Sequence, residues 1–396
     1  MKQKIQFSSL KKKHVPAEST RANFSAIELG SAMAPHLRSV TEAGKRALLS
    51  QSTPWTRAAA DWFAPAEELR SIVAALLGTS ADSIALVPSA SYGIATAAAN
   101  LPISAGQSVA LMDHEFPSQV YAWRELAKKT NARVVTAMRS ANESWTEALT
   151  RIIDRNTAIV AVTPCHWMDG ARIDLEHIAD RARSVAAALV VDASQYFGAA
   201  PINLARIQPD FLACVGYKWL LGAYGLSYLY AAPKWCERGT PIEHTWLARA
   251  EAEKFASVYR DDFRRGARRF DMGEFPQFTL LPMALAGVCQ VHEWGVDRIA
   301  STLANLTNAA ADQATAAGYD VHPYDQRVPH ILGVRIPQSR QSKSNTSLYA
   351  QLAAQLAAEN IYVSAPGEAL RLAPYLYSSR ADFDRFFRAL DHLLCT

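Results

Sequence analysis

The sequence has few of the features that mark metal-binding, secreted or membrane proteins. Its 396 residues include five cysteines, which are scattered and show no CxxC spacing, so neither a disulfide framework nor a zinc site is predicted. No apolar run reaches 18 uninterrupted residues, which predicts no membrane span. The first residues, MKQKIQFSSLKKKH, lack the apolar stretch of a signal peptide. We therefore expect a cytoplasmic protein that holds no metal.

An excess of charge of one sign is also lacking. The 41 basic residues nearly offset the 37 acidic ones, which leaves a net charge of +4. The dense basic run Lys11–Lys13 is typical of a solvated tail, and no wider excess of Lys and Arg accompanies it, so no nucleic-acid partner is expected. No GxGxxG follows an early strand-like run, which argues against a nicotinamide-dependent dehydrogenase.

Short apolar runs alternate with helix-like stretches between about residues 80 and 235. The runs are IALVP (84–88), VALMD (109–113), RVVTAM (133–138), AIVAVTP (158–164), ALVVDAS (188–194), FLACVGY (211–217) and LSYLYA (226–231). Continuous apolar strands are typical of a sheet covered on both faces. The rhythm predicts an α/β fold with a mainly parallel central sheet flanked by helices.

The pattern of apolar residues changes after about residue 276. Helical patterns over 277–294, 297–317 and 381–394 surround short strand-like pieces, HILGVRI and IYVSA. The sequence thus predicts an N-terminal arm (1–28), a large α/β domain (29–275) and a smaller C-terminal α+β domain (276–396).

Two apolar runs each end on a single ionisable side chain, Asp192 and Lys218. Parallel sheets bind ligands beyond the carboxyl ends of their strands. A buried lysine there suits a Schiff base with a carbonyl compound, although a lysine with its ammonium in water fits the pattern too. Asp192 either caps a turn or holds a proton on a ligand nitrogen, as the pyridine ring of pyridoxal 5′-phosphate requires.

Three further segments fit the same cofactor. Ser89, Ala90 and Ser91 open a helix after a strand, where free N–H groups bind phosphate, although simple N-capping explains the serines equally. Phe116 follows another strand and either stacks on a cofactor ring or joins the core. Gln195 either donates to the ring's phenolic oxygen or is a surface turn residue.

The segments VDASQ (191–195) and GYKWLLGAYGLSYLY (216–230) resemble the class V aminotransferase family of pyridoxal-phosphate enzymes, with fold type I. That family includes cysteine desulfurases, selenocysteine lyases and isopenicillin N epimerase-like proteins. The resemblance extends from about residue 25 to the C-terminus. It implies that Lys218 forms the internal aldimine, that Asp192 pairs with the pyridine nitrogen and that Gln195 contacts the ring hydroxyl.

The resemblance implies roles for other segments as well. Ser89, Ala90 and Ser91 would hold the phosphate with help from Tyr217, and Phe116 would stack on the ring. Arg371, in EALRLAPYLYSSRADFDRF, falls where the family has an arginine for the substrate carboxylate. The stretch RRFDMGEFPQF (268–278) resembles a loop that reaches the partner subunit's phosphate site, which implies a homodimer.

The sequence departs from the family pattern at several positions, and the absence of one cysteine bears on the expected reaction. The stretch VSAPGEALRL carries no cysteine where desulfurases have a catalytic one, so persulfide chemistry is not expected. Val215 and Glu274 replace a serine and a threonine that are frequent in relatives. We expect aminotransferase-type chemistry on an amino acid, with a C–S or C–Se β-lyase and an epimerase as alternatives. An amino-acid-sensing regulator with this fold would carry a fused DNA-binding module, for which residues before 25 leave no room.

Overall fold

The computed structural model describes residues 27–29, 36–140, 142–255, 259–340 and 346–395. Its strands are β1 (Ile27–Glu28), β2 (Ile84–Val87), β3 (Ser108–Met112), β4 (Arg133–Ala137), β5 (Thr157–Val162), β6 (Ala188–Asp192), β7 (Phe211–Val215), β8 (Ser227–Ala231), β9 (Leu332–Val334), β10 (Ile361–Tyr362) and β11 (Leu370–Leu372). Its helices are α1 (Arg38–Ser50), α2 (Ala64–Leu77), α3 (Ala90–Asn100), α4 (Pro117–Thr130), α5 (Trp145–Ile152), α6 (Leu175–Ser184), α7 (Leu204–Ile207), α8 (Pro233–Arg238), α9 (Leu280–Trp294), α10 (Val296–Ala316), α11 (Thr346–Ala358) and α12 (Arg380–Cys395).

The seven apolar runs all become strands of one sheet, in the order β2-β8-β7-β6-β5-β3-β4. Neighbours from β7 to β4 are parallel, and β8 runs antiparallel to both β2 and β7. Most of these strands are buried along their whole length, as a sheet covered on both faces requires. The expectation of a mainly parallel α/β fold is confirmed.

Local sequence signals set the ends of the covering helices. Helix α4 begins with Pro117 at its first position and ends at Asn131, whose left-handed backbone (φ 52°) suits an asparagine. Asp174 caps α6 by accepting hydrogen bonds from the N–H groups of Glu176 and His177. None of the helices in the described part of the chain combines the length and the hydropathy that a membrane span needs.

The chain forms two compact units, each of which has its own core. The larger unit comprises Ser39–Pro164 and Ile173–Glu293 and contains the seven-stranded sheet. The smaller unit comprises the described residues up to Arg38, Cys165–Arg172 and the chain from Trp294 onward. The boundaries expected from the sequence, at 28/29 and 275/276, stay predictions, and residues 1–26 of the expected arm lie outside the described residues.

The smaller unit is built on two short strand pairs and the C-terminal helices. Strand β1 pairs in parallel with β10, and β9 pairs with β11 in the antiparallel sense. Its core includes Leu306, Leu352, Phe386 and Leu390, which are buried on the facing sides of α10, α11 and α12. The spacing of apolar residues in the last helix predicted one buried face, and this prediction is confirmed.

Eight residues of the smaller unit, Cys165–Arg172, interrupt the larger unit's sequence. Within them the carboxylate of buried Asp169 lies 3.1 Å from His166 Nδ1 and 2.8 Å from His322 Nε2. Arg335 Nη1 lies 3.3 Å from the same carboxylate. Burial alone would raise the pKa of Asp169, but the hydrogen bonds from the two histidines hold it well below its usual range.

A buried ion network fixes the edge strand β2 in the larger unit. Arg70 and Asp271, both fully buried, form a bidentate pair. The Asp271 carboxylate also accepts a hydrogen bond of 2.8 Å from the Leu86 N–H of β2, and the Met272 N–H donates to the Leu86 carbonyl over 2.9 Å. Residues 271–272 therefore cover the outer edge of the strand that leads to Ser89.

Glu67 joins this network and makes it sensitive to acid. Burial acts to raise the pKa of Glu67, but the Arg268 hydrogen bond and the charges of Arg70 and Arg264 lower it from 4.5 to about 2. A lowered folded-state pKa stabilises the fold above pH 4.5, and this stabilisation is lost as the pH falls from 4.5 to 2. After allowance for partial solvent screening we expect Glu67→Gln to reduce the free energy of unfolding at pH 7 by about 2 kcal/mol.

Acid unfolding followed by circular dichroism measures this contribution. The difference between wild type and Glu67→Gln should shrink as the pH falls below 4.5. The neighbouring Glu68, which is exposed, provides the control substitution Glu68→Gln. A difference between wild type and Glu67→Gln that stays constant from pH 7 to pH 2 would contradict the assignment.

Candidate active site

The ends of five strands bring the ionisable residues of the larger unit to one edge of the sheet. Strands β3, β5, β6 and β7 are parallel, and β2 runs in the same direction because β8 is antiparallel to both β2 and β7. The side chains considered below lie at the carboxyl ends of these strands or in the segments directly after them: Ser89, Glu115, Thr163, Asp192 and Lys218. This edge is where open α/β sheets hold ligands.

Asp192 is the last residue of β6 and is buried, with 5% of its surface exposed. Its Oδ1 accepts a hydrogen bond of 2.9 Å from the Ser194 N–H. The Ser194 hydroxyl oxygen accepts one of 3.2 Å from the Val215 N–H at the end of β7. This chain of bonds fixes the carboxylate at the junction of the two strands.

Lys218 lies in a tight turn just after β7, which ends at Val215. The Gly222 N–H donates to the Gly216 carbonyl over 2.8 Å, and the Leu221 N–H donates to the Lys218 carbonyl over 3.1 Å. A Cβ at position 216 would lie 2.4 Å from the Leu226 carbonyl oxygen, so only glycine fits there. The turn holds Lys218 with 9% of its surface exposed and its Nζ 5.6 Å from the centre of the Phe116 ring.

Phe116 is the N-cap residue directly before helix α4, and 41% of its surface is exposed. An exposed ring at this edge can stack on a planar ligand, whereas a Phe116 ring buried in the core could not. The preceding residue, Glu115, was not singled out in the sequence. It is buried, its Oε1 accepts a hydrogen bond of 2.8 Å from the Phe116 N–H, and the Thr163 hydroxyl lies 3.4 Å from its Oε2.

Ser89 caps helix α3, and its hydroxyl oxygen accepts a hydrogen bond of 3.1 Å from the Tyr92 N–H. The hydroxyls of Ser89 and Ser91 lie 2.9 Å apart, and Ala90 is the first residue of the helix. N-capping therefore does occur. The arrangement also presents two hydroxyls at the positive end of an 11-residue helix, which is suited to a phosphate.

Gln195 and Tyr217 flank the same turn. The Gln195 side-chain oxygen lies 3.4 Å from the indole Nε1 of Trp219. The Tyr217 ring packs against Tyr224 with centroids 4.6 Å apart, and burial raises the pKa of its hydroxyl. The roles that the resemblance implies for these two residues stay predictions, as do those of Ser89, Ala90, Ser91, Phe116, Asp192, Lys218 and Arg371.

Arg371 belongs to the smaller unit, on strand β11, and 4% of its surface is exposed. Its Nη1 donates to the Trp167 carbonyl over 2.8 Å, and its Nη2 donates to the Ser364 hydroxyl over 3.2 Å. The buried Nε has no hydrogen-bond partner among the described residues. The guanidinium is thus held in place and retains N–H groups for a further acceptor.

The five cysteines have no arrangement that suits persulfide chemistry. Cys165, Cys214 and Cys236 are buried, and Cys289 and Cys395 are exposed on helices α9 and α12. Burial, together with the negative charge of Asp192, holds the pKa of the Cys214 thiol well above its usual range. Among the described residues, no group of three or more His, Cys, Asp or Glu side chains could hold a metal ion.

The family model described as "Aminotransferase class-V" matches residues 31–385, nearly the whole chain. The protein belongs to this family. The membership confirms the resemblance noted in the sequence, together with a pyridoxal 5′-phosphate-dependent enzyme that acts on amino acids.

Individual relatives of the class V protein differ in the activities that their names give. An uncharacterized aminotransferase, YcbU, from Bacillus subtilis (strain 168) is 25% identical over 337 residues, which are 85% of this chain and 84% of YcbU. The isopenicillin N epimerase of Streptomyces clavuligerus is 22% identical over 82% of this chain and 84% of the epimerase. The cysteine desulfurase structure from Thermococcus onnurineus NA1 shares the fold with a TM-score of 0.83 at 18% identity, covering 100% of this chain and 99% of that one.

The residues at the edge of the class V protein's sheet fit pyridoxal 5′-phosphate chemically. They comprise a buried carboxylate (Asp192), a buried primary amine (Lys218), an exposed aromatic ring (Phe116) and a helix start with two hydroxyls. The carboxylate suits the cofactor's ring nitrogen and the amine suits its aldehyde. The aromatic ring suits the face of the cofactor ring, and the helix start suits the phosphate. Sequence reasoning missed Glu115, although a carboxyl three residues after a fully buried strand is a detectable signal.

Proposed function

We propose that the protein is an aminotransferase that moves the amino group of a small or medium amino acid. The observation that carries the proposal is the placement of Lys218 beside Phe116, with Asp192 buried at the neighbouring strand end. A buried amine and a buried carboxylate at the ligand-binding edge of a parallel sheet are the two groups this chemistry needs.

Each residue has a stated part in holding the cofactor. Asp192 would keep a proton on the ring nitrogen, Gln195 would contact the ring hydroxyl, and Phe116 would cover one ring face. Ser89, Ala90 and Ser91 would bind the phosphate at the start of α3, with help from Tyr217. When bound, pyridoxal 5′-phosphate supplies the electron sink that stabilises negative charge on the substrate's α-carbon.

The chain's own base is Lys218. Its Nζ would bind the cofactor covalently at rest, and once released it would take the proton from the substrate's Cα. Amino-group transfer would require Lys218 Nζ to deliver the proton to an atom other than Cα, whereas return of a proton to Cα from the opposite face would give racemisation. The positions of the cysteines support this proposal over persulfide formation.

A panel of amino acids, each with a 2-oxo acid acceptor, tests the proposal. We expect the purified, cofactor-loaded protein to be yellow and to convert at least one amino acid to its keto acid with stoichiometric amination of the acceptor. Pyruvate with sulfide or selenide would assign a β-lyase instead, and loss of chirality without keto acid would assign an epimerase. A protein that takes up no cofactor would refute all three.

We also propose that Arg371 binds the substrate carboxylate, because its buried guanidinium is held by Trp167 and Ser364 and keeps N–H groups available. Arg371→Lys cannot form two parallel hydrogen bonds to a carboxylate. We expect kcat/KM to fall about 10- to 100-fold, the equivalent of one lost charge-assisted hydrogen bond, mainly through KM. Steady-state kinetics measure this, and Arg380→Lys, on helix α12, is the control. Unchanged kinetics in Arg371→Lys would assign the carboxylate to another residue.

Two proposals concern the setting of the enzyme. We propose a homodimer, supported by exposed aromatic side chains in the larger unit: Trp55, Trp246, Phe255 and Tyr259. Sedimentation velocity of the cofactor-loaded protein tests it, and the mass of a single chain would refute it.

The composition of the chain supports a cytoplasmic location, which fractionation of the host cells would test.

A further inference from the structure

Glu115 is a buried carboxyl that the proposed chemistry does not use. It lies in the short connection between β3, which ends at Met112, and α4, which begins at Pro117. Its surface is 6% exposed. Its Oε1 accepts the Phe116 N–H over 2.8 Å, and its Oε2 lies 3.4 Å from the Thr163 hydroxyl after β5. The side chain thus joins two strand ends at the edge where Lys218 and Asp192 lie.

A second carboxyl in the same region affects its charge. Burial and the nearby negative charge of Asp192 raise the pKa of Glu115 from 4.5 to about 8, against the lowering effect of the Phe116 N–H. Two buried carboxyls that interact cannot both ionise without a large cost. We therefore expect Glu115 to hold its proton at neutral pH.

Other ionisable groups also lie near Asp192. Burial and the negative charge of Asp192 raise the pKa of the Cys214 thiol on β7, against the lowering effect of Lys218, so the thiol stays protonated. Burial, followed by the effects of Tyr224 and Asp192, raises the pKa of the Tyr217 hydroxyl. Lys218 Nζ lies 5.6 Å from the centre of the Phe116 ring, and the Phe116 backbone N–H donates to Glu115.

We propose that Glu115 is a positioning residue of the cofactor site: its carboxyl, which lies between the Phe116 N–H and the Thr163 hydroxyl, fixes the backbone of Phe116. The proposal rests on the pyridoxal-phosphate site proposed above. Glu115 contacts neither the ring nor the substrate in this assignment. It acts through Phe116, which would cover the ring face.

Two substitutions test this role. Glu115→Gln keeps an oxygen that can accept the Phe116 N–H and is permanently neutral, as we expect Glu115 to be at pH 7. Glu115→Leu fills a similar volume but leaves that N–H without its acceptor. The same two changes at Glu125, an exposed residue of the following helix α4, are the matched controls.

Cofactor binding is the first measurement. We expect Glu115→Gln to bind pyridoxal 5′-phosphate at pH 7 within about threefold of wild type, and Glu115→Leu to bind it about tenfold more weakly, with an altered visible circular dichroism band. Equal affinity and equal dichroism in both variants would overturn the positioning role. If wild type itself binds no cofactor, the proposed function fails, and the second measurement still judges Glu115.

The second measurement uses the protein without cofactor. In ¹³C NMR of protein labelled at the Glu δ-carbon, one carboxyl resonance should titrate near pH 8 and be missing in Glu115→Gln. A raised folded-state pKa means that the folded chain holds a proton that the unfolded chain has lost, so wild type should lose stability relative to Glu115→Gln as the pH rises from 4.5 to 8. Parallel melting curves with no resonance titrating above pH 6 would refute the raised pKa of Glu115.

Discussion

Lys218→Ala should lower the turnover of the amino-acid substrate by at least about 10⁴-fold. The substitution would remove both the amine proposed to bind the cofactor covalently and the proposed base for the Cα proton, and a positioned base alone contributes up to about 10⁴-fold. The cofactor should still bind without a covalent bond, because the proposal assigns the phosphate and ring contacts to other residues. Stopped-flow and steady-state kinetics measure the loss of turnover. Borohydride reduction should attach the cofactor to position 218 in wild type only, which peptide mapping would show.

A lysine of the same larger unit gives the control for this change. Lys129 lies exposed in the last turn of α4, and Lys129→Ala should leave both turnover and labelling unchanged. Borohydride labelling at any lysine other than Lys218 in the wild-type protein would refute the assignment. So would a Lys218→Ala protein that keeps a tenth or more of the wild-type rate.

Asp271→Ala should reduce the free energy of unfolding by about 3–5 kcal/mol, the usual cost of leaving a buried charge without its partner. Arg70 would then lie fully buried without its bidentate partner, with the Glu67 carboxylate 3.3 Å from its Nε as the remaining acidic contact, and the Leu86 N–H of β2 would lose its acceptor. Because β2 leads directly to Ser89, we also expect weaker cofactor binding. Chemical denaturation measures the first effect, and absorbance titration with pyridoxal 5′-phosphate measures the second.

Asp180→Ala is the matched control because Asp180 also pairs with arginines, Arg183 and Arg206, but at the solvent-exposed surface. Its effect on stability should be small. The double variant Asp271→Ala with Arg70→Met should recover part of the loss, since no unpaired charge remains buried. Equal losses in the Asp271 and Asp180 variants would show that burial does not set the strength of the pair.

The sheet could be predicted because each of its strands is a short, nearly continuous apolar run. The runs at 84–88 and 188–194 correspond closely to β2 and β6, and so do the other five to their strands. The direction of β8 could not be predicted from its apolar run. A buried antiparallel strand and a buried parallel one have the same apolar pattern, and the connection of 11 residues between β7 and β8 contains a tight turn rather than a helix.

The positions of Asp192 and Lys218 at strand ends could be predicted because each follows an apolar run, while their roles stay predictions. Glu115 has one local signal, its place three residues after a buried strand, but its contact with Thr163 and the effect of Asp192 on its pKa come from residues distant along the chain. The Arg70–Asp271 pair was missed for the same reason, since its members lie on α2 and after Phe270. Pairing across long sequence separations leaves no local pattern to read.

The pairing of β1 with β10 affects how the protein is made. Ile27 is synthesised 334 residues before its partner Ile361. The residues of the larger unit are complete at Glu293, so this unit can fold while the chain is still growing, whereas β1 must wait for β10. During that interval the edge of β1 that pairs with β10 in the folded protein can pair with other strands.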